Sequence, residues 1–231
     1  MPEAPQGRAI ATVLFDLDGT LIDSAPDLHV AANKLLAEEN RRPVTLEEII
    51  LMIGDGVPKL VERAFEATGE GVYDDALKAL AGRFLEFYEP HAADLTVPFP
   101  GALDCLARLK AQGYALGLCT NKPYAATLEI LDALGMAAVL DVVIGGDSLP
   151  GIKKPDPRHL LAALDKLGAD AGTAVMVGDN ANDVNAAHAA GLPAIVCRFG
   201  YTQGAAENLG GQIIIDHFDE LPDAFEKLPS A

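Results

Sequence analysis

The amino-acid sequence predicts an α/β protein, with a doubly wound parallel sheet and a small α-helical domain inserted after the first strand. Two observations carry this prediction. Short apolar runs alternate with longer segments of helical periodicity, which is typical of a parallel sheet covered by helices on both faces. One stretch of about 70 residues breaks that alternation, and it is too long to be an ordinary connection between two elements.

Six apolar runs have the character of buried parallel strands, because they are rich in Val, Ile or Leu and are apolar on both faces. These runs are residues 9–16, 114–120, 140–145, 174–179, 194–199 and 212–216. Three helices are predicted between them, where leucines recur at helical spacing before Gly113, Gly135 and Gly168, which are candidate C-terminal caps. Pro123 and Pro157 mark the start of the second and third of these helices.

The stretch from residue 24 to residue 93 contains helical patterns and no convincing strand. Its strongest pattern is an apolar stripe at helical spacing, formed by Leu77, Leu80, Phe84, Phe87 and Tyr88. A weaker stripe is formed by Leu60, Ala64 and Ala67. Because stripes of this kind pack helices together, we predict a separate helical domain over residues 23–94 and a core domain made of residues 1–22 and 95–231.

The composition excludes several classes of protein. Among the 231 residues, 34 are Asp or Glu and 17 are Lys or Arg, which gives a formal net charge of −17. Nucleic-acid-binding proteins carry a basic surface, so this acidity argues against nucleic acid as a partner. No apolar run reaches the roughly 18 residues that a membrane span needs. With no secretory signal visible and three cysteines without metal-like spacing, we expect a cytoplasmic protein with buried thiols.

Two carboxylates follow the first predicted strand. Asp16 and Asp18 are two residues apart, so both side chains point the same way in an extended chain. They lie at the carboxyl end of a parallel strand, where open α/β sheets bind ligands. Gly19 lets the chain turn tightly after them. The structural alternative is an Asp-rich turn that caps the next helix.

Three further polar motifs follow later strands. Thr120 and Asn121 stand just before a predicted helix, which suits the binding of an anion by free backbone N–H groups. Lys154 precedes a proline, and Asp179 and Asp183 follow the fourth strand. Taken singly, these groups could be helix caps or solvated charges. Together with the first acid pair they converge on one sheet edge, so we predict a Mg²⁺ site with a phosphate pocket.

The order of these motifs resembles that of the haloacid dehalogenase superfamily of phosphohydrolases, and the resemblance spans most of the chain. The matching motifs are Asp16-Leu17-Asp18-Gly19-Thr20, Thr120-Asn121, Lys154-Pro155-x-Pro157 and Gly178-Asp179-x-x-x-Asp183. The resemblance implies a Rossmann-like core, with the helical insert as a small cap domain. Within the superfamily the chain is most similar to the bacterial phosphoglycolate phosphatases, on shorter fragments such as Pro98-Phe99-Pro100-Gly101 and Gly145-Gly146-Asp147.

The resemblance also implies a mechanism. Asp16 is the expected nucleophile, which forms an aspartyl-phosphate, and Asp18 is the expected general acid and base. Mg²⁺ would be held by the Asp16 carboxylate, the Asp18 backbone carbonyl and Asp179, with Asp183 in support. Lys154 would bind the phosphoryl group and neutralise its charge.

The remaining site residues are assigned to the substrate by the same resemblance. Gly19, Thr120 and the amides near Asn121 would hold the phosphoryl oxygens. From the cap, the turn at Gly54 would reach the site, and Arg63 is a candidate ligand for a substrate carboxylate. A purely structural role for Arg63 within the cap is the alternative.

The implied activity is the Mg²⁺-dependent hydrolysis of a small phosphorylated metabolite, 2-phosphoglycolate, by a monomer or a homodimer. By the family pattern, an acid at Asp18 disfavours dehalogenase and phosphonate-hydrolase activities. One alternative is a sugar-phosphate phosphatase or a β-phosphoglucomutase-like phosphomutase, which would share the core residues and differ in the cap. Another is a phospho-accepting signalling receiver, whose motif order differs and whose fold leaves the helical insert unexplained.

Overall fold

The computed structural model describes residues 10–228. These residues form eight strands: β1 (Thr12–Phe15), β2 (Ile22–Asp23), β3 (Val97–Pro98), β4 (Ala115–Cys119), β5 (Val142–Ile144), β6 (Ala174–Gly178), β7 (Ala194–Cys197) and β8 (Ile213–Ile215). Six of them pair in parallel to form one sheet, in the spatial order β5-β4-β1-β6-β7-β8. The chain runs from β1 out to β5 and then returns to β6 on the other side, so the strand order reverses at β1.

The described residues also form nine α-helices: α1 (Ala25–Glu38), α2 (Leu46–Ile50), α3 (Val57–Thr68), α4 (Asp74–Tyr88), α5 (Ala102–Ala111), α6 (Tyr124–Ala133), α7 (Pro157–Leu167), α8 (Ala181–Ala189) and α9 (Leu221–Lys227). Alternate residues of β1 pack into two layers. Val13 and Phe15 join the apolar cluster that includes α5 and α6, whereas Leu14 joins the cluster that includes α7 and α8. The sheet is therefore covered on both faces, and the predicted fold class is confirmed.

All six predicted strands are present, and each is shorter than its predicted range. The polar residues Asp16, Thr120 and Asp179 lie just beyond the carboxyl ends of their strands. The first predicted strand begins at Ala9, which lies outside the described residues. The short strands β2 and β3 were missed, because two residues cannot show a period.

The predicted ends of the core helices are close to the observed ones. α7 begins at Pro157 after the N-cap Asp156, and its C-cap Gly168 has a φ of +63°. α6 begins one residue later than expected, so Pro123 is its N-cap and lies outside its first turn. The leucine pattern, bounded by proline at one end and glycine at the other, therefore predicted the ends of these helices to within a residue or two.

The inserted domain consists of α1 to α4. The two predicted stripes lie on α3 and α4, where Leu60, Leu80 and Phe84 are buried. The connections of this domain to the sheet are joined to each other, because β2 pairs antiparallel with β3. Next to this pair, the buried Asp27 carboxylate accepts hydrogen bonds from Leu95 N–H at 3.0 Å, from Thr96 N–H at 2.8 Å and from the Thr96 hydroxyl at 2.7 Å.

One expectation from composition is also met within residues 10–228. Cys105, Cys119 and Cys197 are free and buried, as predicted. None of the helices described there combines the length and the apolar character of a bilayer-spanning helix.

Candidate active site

Three of the predicted site residues lie at the carboxyl ends of three adjacent strands. Asp16 follows β1, Thr120 follows β4 and Asp179 follows β6. Because β1 lies between β4 and β6, these three ends meet at one edge of the sheet. The strand order reverses at this point, which is where open α/β sheets form a crevice for ligands.

Lys154 lies at the centre of the charged groups. Its Nζ atom is 2.7 Å from an Asp16 oxygen and 2.6 Å from an Asp183 oxygen, and its side chain is 1% exposed. The side-chain amide of Asn121 holds its backbone, accepting from Lys154 N–H at 2.9 Å and donating to the Lys154 carbonyl at 2.9 Å. Burial alone would lower the pKa of Lys154, but Asp16 and Asp183 raise the pKa above its ordinary value, so the ammonium stays charged.

Three buried carboxylates lie together beside this lysine. Asp16, Asp179 and Asp183 each place one oxygen within 4.8 Å of the others. Burial and the charge of Asp183 raise the pKa of Asp16 to about 7, and burial and the charge of Asp16 raise the pKa of Asp179 well above its usual range. A cation relieves repulsion of this kind, and carboxylate oxygens are the ligands that Mg²⁺ takes. The residues present therefore fit a divalent metal ion.

Hydrogen-bond donors orient two of these carboxylates. Asp179 accepts from the Thr20 hydroxyl at 2.8 Å and from Tyr201 N–H at 2.7 Å. Asp183 accepts from the N–H groups of Asp179 and Asn180 at 3.2 and 3.0 Å, in the capping box that begins α8. The predicted position of Asp183 in the first turn of that helix is therefore where the structure places it.

Asp18 lies at the edge of the charged cluster and has other partners. Its carboxylate accepts a hydrogen bond from the Ser24 hydroxyl at 2.5 Å and lies 3.1 Å from the Nζ atom of Lys122. The neighbouring Gly19 has a φ of +83°, and a Cβ atom there would lie 2.3 Å from an Asp179 oxygen. Only glycine lets the chain pass this close to the acid cluster.

Lys122 is a second buried cation, and the sequence prediction did not include it. Its Nζ atom donates to the Tyr88 hydroxyl at 2.6 Å and lies 4.6 Å from the centre of the Tyr88 ring. Burial alone would lower the pKa of Lys122, but Asp18 and Tyr88 raise it above its ordinary value. Tyr88 ends α4 and Asp18 follows β1, so this one side chain connects the inserted domain to the core.

A cavity of about 30 Å³ lies between the sheet edge and the inserted domain. The core supplies its polar wall, which consists of Asp16, Asp18, Thr120, Asn121 and Lys122. The inserted domain supplies an apolar wall, which includes Leu28, Ile53, Val57 and Leu60. Residues of both the core and the inserted domain therefore face Asp16 across a narrow space.

The predicted turn of the inserted domain reaches this site. Gly54 lines the cavity, and its carbonyl accepts a hydrogen bond from the Asn121 side chain at 3.0 Å. Gly54 has a φ of +115°, and a Cβ atom there would lie 2.4 Å from the Nδ2 atom of Asn180. Glycine at this position therefore allows the turn to approach the end of β6.

Arg63 lies apart from the cavity over Asp16. Its guanidinium is 2.6 Å from an Asp55 oxygen and donates to the Met52 carbonyl at 3.0 Å. It lines a separate cavity of about 290 Å³, which also borders Asn182 and Gln203. Arg63 is therefore absent from the lining of the cavity over Asp16, but it lines the second cavity together with Asp179, one of the predicted metal ligands.

Comparison with known proteins identifies the family. Residues 10–191 match the family model for haloacid dehalogenase-like hydrolases. The chain belongs to this family. This hydrolase is 44% identical over 216 residues to a phosphoglycolate phosphatase of Cereibacter sphaeroides, covering 94% of this chain and 98% of that one. It is 42% identical over 214 residues to a phosphoglycolate phosphatase of Caulobacter vibrioides, covering 93% of this chain and 90% of that one.

A solved structure supports the same assignment of this hydrolase. The crystal structure of a predicted phosphoglycolate phosphatase from Haemophilus somnus has a TM-score of 0.88 and 30% sequence identity, covering 94% of this chain and 99% of that one. The family, the enzyme class and the narrower similarity to phosphoglycolate phosphatases are therefore confirmed as the sequence predicted them.

Three contributors to the site of this hydrolase were missed from the sequence. Lys122 directly follows the Thr120-Asn121 motif, and that adjacency is a signal that could have identified it. Tyr88 was assigned only to an apolar stripe, and nothing local shows where its hydroxyl points. Ser24 has no distinguishing pattern, since its bond to Asp18 depends on the turn between them.

Proposed function

We propose that this hydrolase is a phosphoglycolate phosphatase, which converts 2-phosphoglycolate and water to glycolate and phosphate. One observation carries the chemistry: the Asp16 carboxylate lines the cavity and lies 2.7 Å from a buried ammonium, beside two further buried acids. A carboxylate so placed is suited to attack phosphorus, because fixed positive charge offsets the charge of the phosphoryl group. The names of the relatives at 42% and 44% identity support the choice of substrate.

We propose Mg²⁺ as the cofactor. Asp16 and Asp179 would hold it with the Asp18 backbone carbonyl, and Asp183 would support them. When bound, the ion would supply positive charge next to the phosphoryl oxygens. The close approach of three buried carboxylate oxygens, within 4.8 Å, supports this assignment.

In the first proposed step, an Asp16 oxygen forms a bond to phosphorus while the ester bond from phosphorus to the glycolate oxygen breaks. Asp18 gives its proton to the departing alkoxide. In the second step, Asp18 takes a proton from a water molecule, whose oxygen attacks phosphorus and breaks the bond to Asp16. Phosphate leaves, and both carboxyl groups return to their starting states. The Ser24 hydroxyl and the Lys122 ammonium hold Asp18 in place.

We propose that the inserted domain moves to admit the substrate, because its apolar residues pack closely over the cavity that Asp16 lines. The hinge for this movement would be the paired connections β2 and β3, where the chain enters and leaves the inserted domain. In the closed arrangement the apolar wall formed by Leu28, Ile53 and Leu60 would exclude bulk water from the first step.

The test compares kcat/KM for 2-phosphoglycolate, hexose phosphates and p-nitrophenyl phosphate, with Mg²⁺ and after its removal by EDTA. We expect 2-phosphoglycolate to be preferred by at least tenfold, about 1.4 kcal/mol of transition-state discrimination, and activity to disappear with EDTA. A tenfold preference for a sugar phosphate would reject the substrate and favour the sugar-phosphate phosphatase or phosphomutase alternative.

The role of Asp16 has its own test. We expect Asp16→Asn to lose turnover while its circular dichroism spectrum and urea midpoint show a folded protein, because the amide is a far weaker nucleophile. The matched control is Asp104→Asn, which changes an exposed aspartate on α5 and should keep full activity. Near-normal turnover by Asp16→Asn would rule out the nucleophile assignment. The cytoplasmic location and the monomeric or homodimeric state stay predictions.

A further inference from the structure

Lys122 is a buried ammonium that the proposed reaction uses only to hold Asp18. Its side chain is 3% exposed, and burying an ammonium has a large free-energy cost unless partners compensate it. Two partners are present, the Asp18 carboxylate at 3.1 Å and the Tyr88 hydroxyl at 2.6 Å. An ammonium carries three donors, so one N–H bond remains for a ligand in the cavity that Lys122 lines.

The two buried lysines near the cavity have different partners. Lys154 is paired with Asp16 and Asp183. Among the described residues that line the cavity, Lys122 is the one basic side chain. Arg63 does not share this role, since it is paired with Asp55 outside the cavity.

The first turn of α3 faces the same cavity. The N-cap Gly56 and the first-turn residues Val57 and Leu60 are among its lining. The amino end of a helix of this length carries roughly half a positive charge and free N–H groups. A small anion next to Lys122 would therefore meet positive potential from the core and from the inserted domain together.

We propose that Lys122 is a specificity-determining residue that binds the carboxylate of the substrate, with Tyr88 holding its ammonium in position. This inference rests on the proposed function, in which the substrate is a two-carbon phosphomonoester with a carboxylate at its other end. Asp16 then receives the phosphoryl end and Lys122 the carboxylate end. Because Tyr88 belongs to α4, the contact forms completely only when the inserted domain is closed over the substrate.

The test separates binding from turnover. We would measure the affinity of the Mg²⁺-loaded full-length enzyme for 3-phosphonopropionate, the non-hydrolysable methylene analogue of 2-phosphoglycolate, and for propylphosphonate, which lacks the carboxylate. We expect Lys122→Met to weaken the binding of 3-phosphonopropionate by roughly 10- to 100-fold, which is the effect of losing a hydrogen bond to a charged group. The affinity for propylphosphonate should change less than threefold, and Lys122→Arg should restore part of the discrimination.

Two further variants serve as controls. Lys59→Met removes a positive charge from the first turn of α3, where Lys59 is paired with Glu62, and should leave both affinities unchanged. Tyr88→Phe keeps the ammonium of Lys122 and removes the hydroxyl that positions it. It should therefore weaken the binding of 3-phosphonopropionate a few-fold and leave the binding of propylphosphonate unchanged. It also keeps the test available if Lys122→Met does not fold.

Two outcomes would overturn the inference, and they are distinguishable. Equal weakening of both phosphonates by Lys122→Met would mean that the lysine only positions Asp18, and the proposed function would stand. Failure of the unmodified enzyme to hydrolyse 2-phosphoglycolate would remove the proposed function and this inference with it, before any variant is made.

Discussion

Replacing Lys154 with methionine removes the cation that lies between two buried carboxylates. In the folded protein its Nζ atom is 2.7 Å from Asp16 and 2.6 Å from Asp183, and Asp179 lies in the same cluster. Methionine keeps much of the volume of the lysine stem. The variant therefore tests the charge rather than the packing.

The expected loss follows from these distances. With an effective dielectric constant of about 20, each contact corresponds to about 6 kcal/mol of Coulomb attraction. Desolvation of the buried lysine offsets much of this attraction, and removing one partner of a buried ion pair typically costs about 3–5 kcal/mol. We expect a loss of that size in the free energy of unfolding at pH 8, measured by urea denaturation in EDTA.

The loss should also depend on pH and on metal. In Lys154→Met the pKa values of Asp16 and Asp179, already raised by burial and by neighbouring carboxylates, should rise further above their unfolded values near 4, so the folded state binds more protons than the unfolded state. Stability then falls as pH rises, and the deficit should be smaller at pH 5.5 than at pH 8. Added Mg²⁺ should recover more stability in the variant than in the unmodified protein, because it replaces the missing positive charge.

The control is Lys166→Met, which changes an exposed lysine on α7 and should shift stability by no more than about 0.5 kcal/mol. A loss below about 1 kcal/mol for Lys154→Met, or a loss of equal size at both pH values, would refute the reasoning. Either result would mean that solvent or a local rearrangement compensates the negative charge of the three carboxylates without Lys154.

Three more predictions follow from single sites. Asp27→Ala removes the side-chain acceptor of the Leu95 N–H and of the buried Thr96 N–H, while the Thr96 hydroxyl keeps its bond to the Ala92 carbonyl. The free energy of unfolding should fall by about 1–3 kcal/mol, whereas Asp75→Ala in the exposed first turn of α4 should change it little. A small effect for Asp27→Ala would mean that water replaces the carboxylate. Burial lowers the pKa of His159 to about 4. The free energy of unfolding should therefore fall by up to about 3 kcal/mol as pH drops from 6.5 to 4. Urea denaturation of His159→Gln over the same pH range should lack this loss. Gly54→Ala should reduce kcat/KM roughly tenfold, because its Cβ atom would lie 2.4 Å from the side chain of Asn180, the N-cap of α8. The control is Gly210→Ala, which should keep full activity, since Gly210 also has a positive φ, +82°, but has open space around it. Equal activity of the two variants would contradict the steric argument.

Local sequence determined the sheet, the core helices and the acids at the strand ends. The central strand can be recognised from its apolar run, and the residues directly after it, Asp16 and Asp18, are carried to the edge by the strand itself. The same holds for Thr120 after β4 and for Asp179 after β6. These residues could be assigned in advance because chain continuity places a residue that follows a parallel strand at its carboxyl end.

The contacts between the two domains were decided only by tertiary structure. Lys122 and Tyr88 are 34 residues apart in the chain, and no period or spacing indicates that their side chains meet. Arg63 shows the reverse case, since the sequence allowed it to face the substrate and the fold pairs it with Asp55. A side chain on a helix can point to several neighbours, and which one it reaches depends on how the inserted domain packs over the sheet. The sequence alone therefore determined the chemistry at the sheet edge, and the packing of the two domains decided which groups surround the rest of the substrate.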